Sequence, residues 1–407
     1  MAPDRVVVIN DSSLARGGAT GLALLSVQML AQCGQRVQFI CGDAAGEVAG
    51  AEDVLSLGRA RLREGAALSA LRRGVYDAEA RDMVAGWIER NDNPGTVYHL
   101  HGWAQILSPA VLDALAPVAA RTLLHAHDMF LACPNGAYMD YVDDRPCERV
   151  PMSVRCITTN CDRRSYPQKL WRVARQRQLR KALDWERRPW GGVAMIHPAM
   201  REMLERGGVP GDKLFTQRNP ASAWCAERVQ AEANDGLLYV GRLRGEKGVV
   251  ELARAARQAG MPLTAIGEGP QGDILAREFP EVARPGWLDA AGIAEHARRA
   301  RGLVMPSLTR EPFGLVAAEA SASGLPVILP TTALMSGEVN ALSLGFSYNG
   351  SDPQGLAGAL QRLRDLAADE TRAMSERAFS RRTPLAATPE AWIDGLLATY
   401  ERLIAGH

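Results

Sequence analysis

Four groups of residues in this chain have types and spacings that suit chemistry. Glu311 and Glu319 stand in "TREPFGLVAAEASASGLPVI" (309–328) with seven residues between them, most of them small. A carboxylate only accepts hydrogen bonds, and the paired hydroxyls of a sugar are suitable donors. The plainer reading has Glu311 favouring a helix dipole while Glu319 faces water. In "YVGRLRGEKGVVEL" (239–252) an apolar run ends at Val240, the chain turns at Gly241, Arg242 and Lys247 follow, and Gly248 opens a helical pattern. A forked guanidinium and a point-charge ammonium beside a helix N-terminus suit a diphosphate. A solvated basic turn would carry the same residues. His99, His101, His125 and His127 close two apolar runs. Strand alternation is taken to point His99 and His125 the other way from His101 and His127, and an isolated histidine at a strand end is more often a satisfied structural residue than a catalyst. Cys133, Cys147, Cys156 and Cys161 fall within 29 residues on a long irregular segment, 128–167. Their spacing is not the paired C-x2-C of a zinc ribbon, so structural Zn²⁺, buried free thiols and disulfides all stay open. A loop of that length is usually functional or braced. Four thiolates around zinc would leave no open position, so such a metal would be structural.

These residues need a frame, and the rest of the pattern supplies one. Short apolar runs alternate with segments of helical length: Val6–Ile9, Val37–Ile40, Val97–Leu100, Thr122–Leu124, Val193–Ile196 and Leu214–Thr216, then Leu237–Val240, Leu263–Ile266, Leu303–Met305 and Val327–Leu329. Such alternation implies an α/β chain with parallel sheets covered by helices. A length of 407 residues suits two domains rather than one core. The seam is placed in "RNPASAWCAERVQAEANDG", giving 1–220 as the first domain, 221–385 as the second, and 386–407 as a helix able to cross back to the first. In open parallel sheets ligands lie beyond the carboxyl ends of strands, where Arg242, Lys247 and Glu311 would stand. Gly324 is expected to stop the helix that carries Glu319.

With these residues in place, "GRLRGEKG", "GEGP" (Gly267–Pro270), "PGWLD" (Pro285–Asp289) and "PSLTREPFGLVAAEASASGLPVI" occur in the order seen in glycosyltransferase family 4. The resemblance spans nearly the whole chain and is strongest in the second domain. It implies a GT-B fold of two Rossmann-like domains facing a cleft, and a retaining transfer from a nucleotide diphosphate sugar to a glycan or polyprenyl-linked acceptor, as in bacterial surface polysaccharide or glycolipid synthesis. Glu311 and Glu319 match the family's E-x7-E pair, and Arg242 and Lys247 its phosphate-binding cations, supported by main-chain N–H groups at Phe313, Gly314 and Leu315. Gly241, Gly267 and Glu268 fall in its donor-binding turns. "RGGAT" (Arg16–Thr20), with Gly17 and Gly18, resembles its glycine-rich turn after the first strand. "LLHAHD" (Leu123–Asp128) resembles its histidine-bearing strand end, which makes His127 the expected active-site histidine. "TTALMSGEVNALSLG" (331–345) departs from the family's glycine-rich consensus, and His197 stands where serine is more frequent. The chain contains no D-x-D pair, in keeping with metal-independent catalysis and no catalytic cofactor. An epimerase of the same architecture and a non-catalytic sugar-nucleotide-binding subunit are the rival readings.

Composition bounds the setting. Hydrophobic residues make up 47% and charged ones 23%, as in a soluble globular chain. The net charge of +1 excludes no partner and confines any basic site to a local patch; no nucleic-acid partner is expected. No apolar run approaches the roughly 18 residues of a spanning helix, and "MAPDRVVVIN" enters a strand without a signal-peptide pattern. A cytoplasmic location is therefore expected, with thiols reduced unless a metal holds them. The stretch 168–190 carries eight Lys/Arg against two acids, with Trp171, Trp185 and Trp190 among them. It reads either as a peripheral membrane contact, with aromatics at an anionic surface, or as a surface helix with aromatics in the core.

Overall fold

The computed structural model describes residues 2–14, 17–60, 67–380 and 385–406. Arg16, the first residue of the glycine-rich turn, lies outside them. The chain forms two compact units, one of Met1–Asp143, Cys147–Arg218 and Glu390–His407, the other of Asp144–Pro146 and Asn219–Pro389.

The first unit is built on a seven-stranded parallel sheet. Its strands are β1 (Arg5–Asn10), β2 (Val37–Cys41), β3 (Asp53–Ser56), β4 (Thr96–Leu100), β5 (Thr122–Ala126), β6 (Gly192–Met195) and β7 (Leu214–Thr216), in the spatial order β3-β2-β1-β4-β5-β6-β7. The central strands are apolar and fully buried because helices cover both faces of such a sheet. Helix α1 (Gly18–Gln32) leaves the turn after β1. Helix α2 (Tyr166–Leu183) starts at Ser165, whose side chain accepts from the N–H of Gln168, and ends on Asp184 in the left-handed conformation.

The second unit holds a six-stranded parallel sheet of β8 (Gly236–Val240), β9 (Leu263–Ile266), β10 (Ala283–Gly286), β11 (Ala300–Val304), β12 (Val327–Pro330) and β13 (Gly345–Tyr348), in the order β10-β9-β8-β11-β12-β13. Each sheet therefore winds outward in both directions from its first strand, and the order reverses beside that strand, the place where ligands bind in open α/β sheets. Helix α3 (Val249–Ala259) follows β8, and helix α4 (Leu315–Ala322) follows β11. Gly324, in the left-handed region at φ 89°, ends the turn after α4, and its N–H donates to Ser321. Helix α5 (Pro389–Ala405) presents Trp392, Ile393, Leu396, Thr399, Tyr400 and Leu403 as one buried stripe, and from Glu390 onward it belongs to the first unit.

Three described strands of the two large sheets had no counterpart in the apolar runs: β3, β10 and β13. All three lie at sheet edges, and β3 and β10 are partly exposed. An edge strand has one unpaired side and needs no continuous apolar run. The segment 128–167 is also less irregular than its composition suggests, since Val154–Thr158 forms a short helix capped by Ser153.

Candidate functional site

In the second unit the basic turn and the glutamate pair are brought together. The turn after β8 crosses close to the end of β11: a Cβ at Gly248 would lie 2.0 Å from the carbonyl oxygen of Pro306, and Gly248 itself is left-handed at φ 69°. Only glycine satisfies both conditions. Gly267 is similarly confined, with a Cβ position 2.0 Å from the carbonyl of Gly241. This tight crossing sets Lys247 against the β11 loop, where its ammonium is 2.7 Å from Glu311 Oε2. Ser307 donates to the same oxygen at 3.1 Å. Lys247 and Glu311 are both half-buried, and Arg242 is exposed beside them. The main-chain loop is fixed from behind, since Tyr239 donates to the Arg242 carbonyl and Leu243 N–H donates to the Glu268 carbonyl. Glu268 itself is exposed, and Phe313 is buried. Helix α4 begins at Gly314, left-handed at φ 95°, with no side-chain cap. Its first N–H groups, from Leu315 on, carry the positive end of the helix dipole.

Glu319 lies inside α4, between the buried Ala318 and Ala320. Burial pushes its carboxyl up to about 7, against the pull of a hydrogen bond from the Trp224 side chain. Trp224 is placed by its own N–H, which donates to Ser323 Oγ at 2.8 Å. A carboxylate this poorly solvated gains most from ligand hydroxyls. Trp224 carried no signal in the sequence beyond lying in the seam before β8.

In the first unit Gly17 caps α1, with Gly18 as its first residue, and a Cβ at Gly17 would meet nothing within 4 Å. Beside this turn Asp11 is buried and accepts from the N–H groups of Gln105, Ile106 and Leu107 at 2.8–2.9 Å. Burial outweighs these three bonds and raises its carboxyl above the ordinary range. Asp128 is likewise pushed up to about 6 by burial, despite accepting from Phe130 N–H. Arg175 of α2 is buried, lies against the rings of Trp103, Phe130 and Trp171, and is pulled down to about 10 by its burial. Sequence reading passed over Asp11, although "NDSS" directly after a buried strand marked a polar turn.

The histidines require a correction. His99 and His125 do not point away from His101 and His127. Residues two apart share a strand face, so 99 goes with 101 and 125 with 127. The pairing of Leu100 with Leu124 then brings both sets onto the same face. The four rings form two hydrogen-bonded pairs, His99 Nε2 with His125 Nδ1 at 3.0 Å and His101 Nδ1 with His127 Nε2 at 2.9 Å. One pair is laid on the other, with ring centroids 3.9 Å apart for His99 and His101 and 4.3 Å for His125 and His127. Tyr400 of α5 closes the inner end, its hydroxyl 2.7 Å from His99 Nδ1. Burial, and secondarily the neighbouring rings, holds His99, His101 and His125 well below the ordinary imidazole range, and burial alone brings His127 to about 4. Among the described residues, His99, His101 and His125 bring three possible metal-ligand atoms within 4.8 Å of one another. Their nitrogens meet one another within the pairs and, through His101 Nε2 and His99 Nδ1 at 3.2 Å, between them, and no anion stands among their hydrogen-bond partners, so the arrangement is that of a hydrogen-bonded block.

The four cysteines are buried free thiols, and two of them, Cys156 and Cys161, touch a lysine; among the described residues no three of the thiols lie close enough together to make a metal-ligand group. Lys169 of α2 is fully buried and donates to Cys161 Sγ at 3.2 Å and Cys156 Sγ at 3.6 Å. Asn135 lies between Cys133 and Cys161, and Arg149 reaches Cys147 at 3.5 Å. Burial raises the thiols of Cys133, to about 11, and of Cys161. In the 168–190 stretch Trp190 is fully buried, and Trp171 donates to the Leu71 carbonyl. The aromatics thus serve the unit's own packing, while Arg177, Arg180, Lys181 and Arg187 stay at the surface. No described helix is long and apolar enough to cross a membrane.

Two parallel-sheet units wound in this order are the architecture of the GT-B fold. The chain aligns with sucrose-phosphate synthase from Thermosynechococcus elongatus at a TM-score of 0.69, covering 99% of this chain and 100% of that one at 16% identity. It aligns with Anabaena HepE in complex with UDP and glucose at 0.62, covering 98% and 99% at 14% identity. Residues 234–365, which span β8 to the helix after β13, match the profile described as "Glycosyl transferases group 1". Glycogen synthase from Mycobacterium tuberculosis is 32% identical over 272 residues, 63% of this chain and 63% of that relative's length. D-inositol 3-phosphate glycosyltransferase from Corynebacterium kroppenstedtii is 33% identical over 180 residues, 39% of this chain and 40% of its own. The chain thus spans less than two thirds of the length of these relatives.

Proposed function

We propose that the protein is a retaining glycosyltransferase that moves a sugar from a nucleotide diphosphate donor to the hydroxyl of a glycan or lipid-linked acceptor in bacterial surface polysaccharide or glycolipid synthesis. The observation that carries this is the Lys247–Glu311 pair at the carboxyl end of the second sheet, beside Arg242 and the uncapped start of α4. In the proposed step the acceptor oxygen bonds to the anomeric carbon on the face from which the diphosphate leaves. The C–O bond to the diphosphate breaks with its electron pair, and the acceptor's proton departs with the leaving group. Arg242, Lys247 and the N–H groups of Gly314 and Leu315 would stabilise the charge that develops there, a direct source of rate. Glu311 would hold Lys247 and meet the transferred sugar, Glu319 the ribose hydroxyls, and His127 the sugar from the first unit, with Gly17, Gly18, Gly241, Gly267 and Glu268 shaping the turns around the donor. The named ligand of HepE and the activities named for the relatives support a nucleotide-sugar donor. Incubation with a panel of nucleotide sugars, followed by donor consumption and product analysis with and without acceptor, tests the reading. Conversion of the donor to an isomer without acceptor would replace it with an epimerase, and no turnover of any donor would leave only binding.

For the cysteine loop we propose a separate, structural role, with Cys133, Cys147, Cys156 and Cys161 able to hold one Zn²⁺. It is supported by four buried thiols and by the N–H donors of Lys169, Arg149 and Asn135 directed at their sulfurs, which would offset the charge of a metal tetrathiolate.

A further inference from the structure

We propose that Tyr400, on the C-terminal helix, sets the tautomer of every imidazole in the buried block and so leaves His127 protonated on Nε2, with a bare Nδ1 that can only accept a hydrogen bond. Tyr400 is thereby a positioning residue. The consequence for ligand recognition rests on the reading above that His127 meets the donor sugar.

Tyr400 is fully buried, and His99 Nδ1, at 2.7 Å, is the partner of its hydroxyl. If the phenol donates, His99 Nδ1 is bare and its proton sits on Nε2. That N–H donates to His125 Nδ1 at 3.0 Å, which places the proton of His125 on Nε2. On the other side, His101 Nε2 stands 3.2 Å from the same bare His99 nitrogen. Two lone pairs repel at that distance, so His101 Nε2 carries a proton and His101 Nδ1 is bare. His127 Nε2, 2.9 Å away, must then donate to it. The two ends of the block are His125 Nε2 and His127 Nδ1, both shut off from solvent and both without a hydrogen-bond partner in the protein. In this polarity the N–H of His125 is unmet, and the phenol and the His101 N–H share the one lone pair of His99 Nδ1. The opposite polarity strands two donors, the phenol O–H and the His127 Nδ1–H. An unmet buried donor is costly, and one more of them disfavours the reversed pattern roughly tenfold. The bonding pattern thus favours the polarity in which the phenol donates.

The pattern selects among ligand groups. His127 Nδ1 is covered as the protein stands; once a side-chain movement uncovers it, a hydroxyl can donate to it, whereas a phosphate oxygen or a carbonyl finds no proton there. His127 is therefore matched to a group that donates, such as a sugar hydroxyl, and not to a phosphate or carbonyl oxygen.

The test is two-bond ¹H–¹⁵N correlation of the imidazole rings in protein labelled with ¹⁵N-histidine, with His127→Gln used to assign the His127 signals. The expected result is the Nε2–H tautomer for His127, His101, His99 and His125. In Tyr400→Phe each polarity leaves one unmet N–H, so His127 should show both tautomers in comparable amounts. A wild-type His127 protonated on Nδ1 overturns the proposal. So does a folded Tyr400→Phe protein that keeps a single His127 tautomer, because a merely structural tyrosine would lower stability without releasing the protons. If Tyr400→Phe does not fold, the wild-type spectrum alone decides. Saturating UDP-glucose that leaves the His127 nitrogens unmoved would count against the donor-site reading while the tautomer assignment stood.

Discussion

Acidification should destabilise the first unit, and the histidine block sets the size of the effect. His99, His101 and His125 are at most 5% exposed and are held neutral by burial and by one another. In the unfolded chain each titrates near its ordinary value of about 6.5. Below that pH the unfolded chain binds protons that the folded block refuses, so stability is complete above about 6.5 and falls as pH falls. One unit below, each refused proton costs somewhat over 1 kcal/mol; His127, brought to about 4 by burial, refuses its proton as well, so the four together come to about 5 kcal/mol. Asp128, raised to about 6 by burial, works in the opposite direction, because the folded state takes up its proton first. It returns about 1 kcal/mol between pH 7.5 and 5.5, and Asp11 adds to it. The net loss of roughly 4 kcal/mol is a large part of the 5–15 kcal/mol that holds an ordinary domain together. Urea unfolding at the two pH values, followed by hydrogen exchange of the β4 and β5 amides, measures this loss in the first unit. His125→Phe should remove about one proton from the pH dependence. Equal stability at both pH values, or greater stability in acid, would show that the imidazoles accept protons in place, and the block would not be what its geometry says.

Lys247→Ala and Arg242→Ala should each abolish most transfer, since a charge-assisted contact to the leaving diphosphate is lost; wild-type turnover in either removes the phosphate assignment. Glu319→Ala should weaken the bare nucleotide diphosphate and the sugar donor alike, by about ten- to hundredfold in calorimetry. Glu311→Ala should spare the bare nucleotide, because Lys247 then loses its internal counter-charge, and should weaken only the increment due to the sugar. Gly248→Ala forces a Cβ to 2.0 Å from a carbonyl oxygen at a left-handed residue, and should cost the second unit about 2–4 kcal/mol, seen as a lower melting temperature. Elemental analysis of untagged protein should find one zinc per chain, lost in Cys161→Ser; no stoichiometric metal would remove the zinc assignment and leave the thiols to Lys169, Asn135 and Arg149.

The sequence by itself determined the second unit well. Its apolar runs became β8, β9, β11 and β12, and Gly248 and Gly324 stand at the helix ends where their neighbours placed them. The helix with Glu319 and the loop with Glu311 fell where a strand–loop–helix pattern puts them. Such features are local: a period, a cap or a turn is decided by residues within about one helical turn of each other. The edge strands β3, β10 and β13 escaped because half-paired strands need no apolar run. What only the tertiary structure decided are meetings between distant residues. Strand register stacked four histidines that had been divided between two faces, and helix α5 brought Tyr400 to His99 across 301 positions. Helix packing put the ammonium of Lys169 among the sulfurs and turned Trp190 inward, where composition alone allowed a membrane face. Sequence periodicity says which residues share a face of their own element. Which other face they meet is set by sheet order and register, and those depend on the packing of the whole unit.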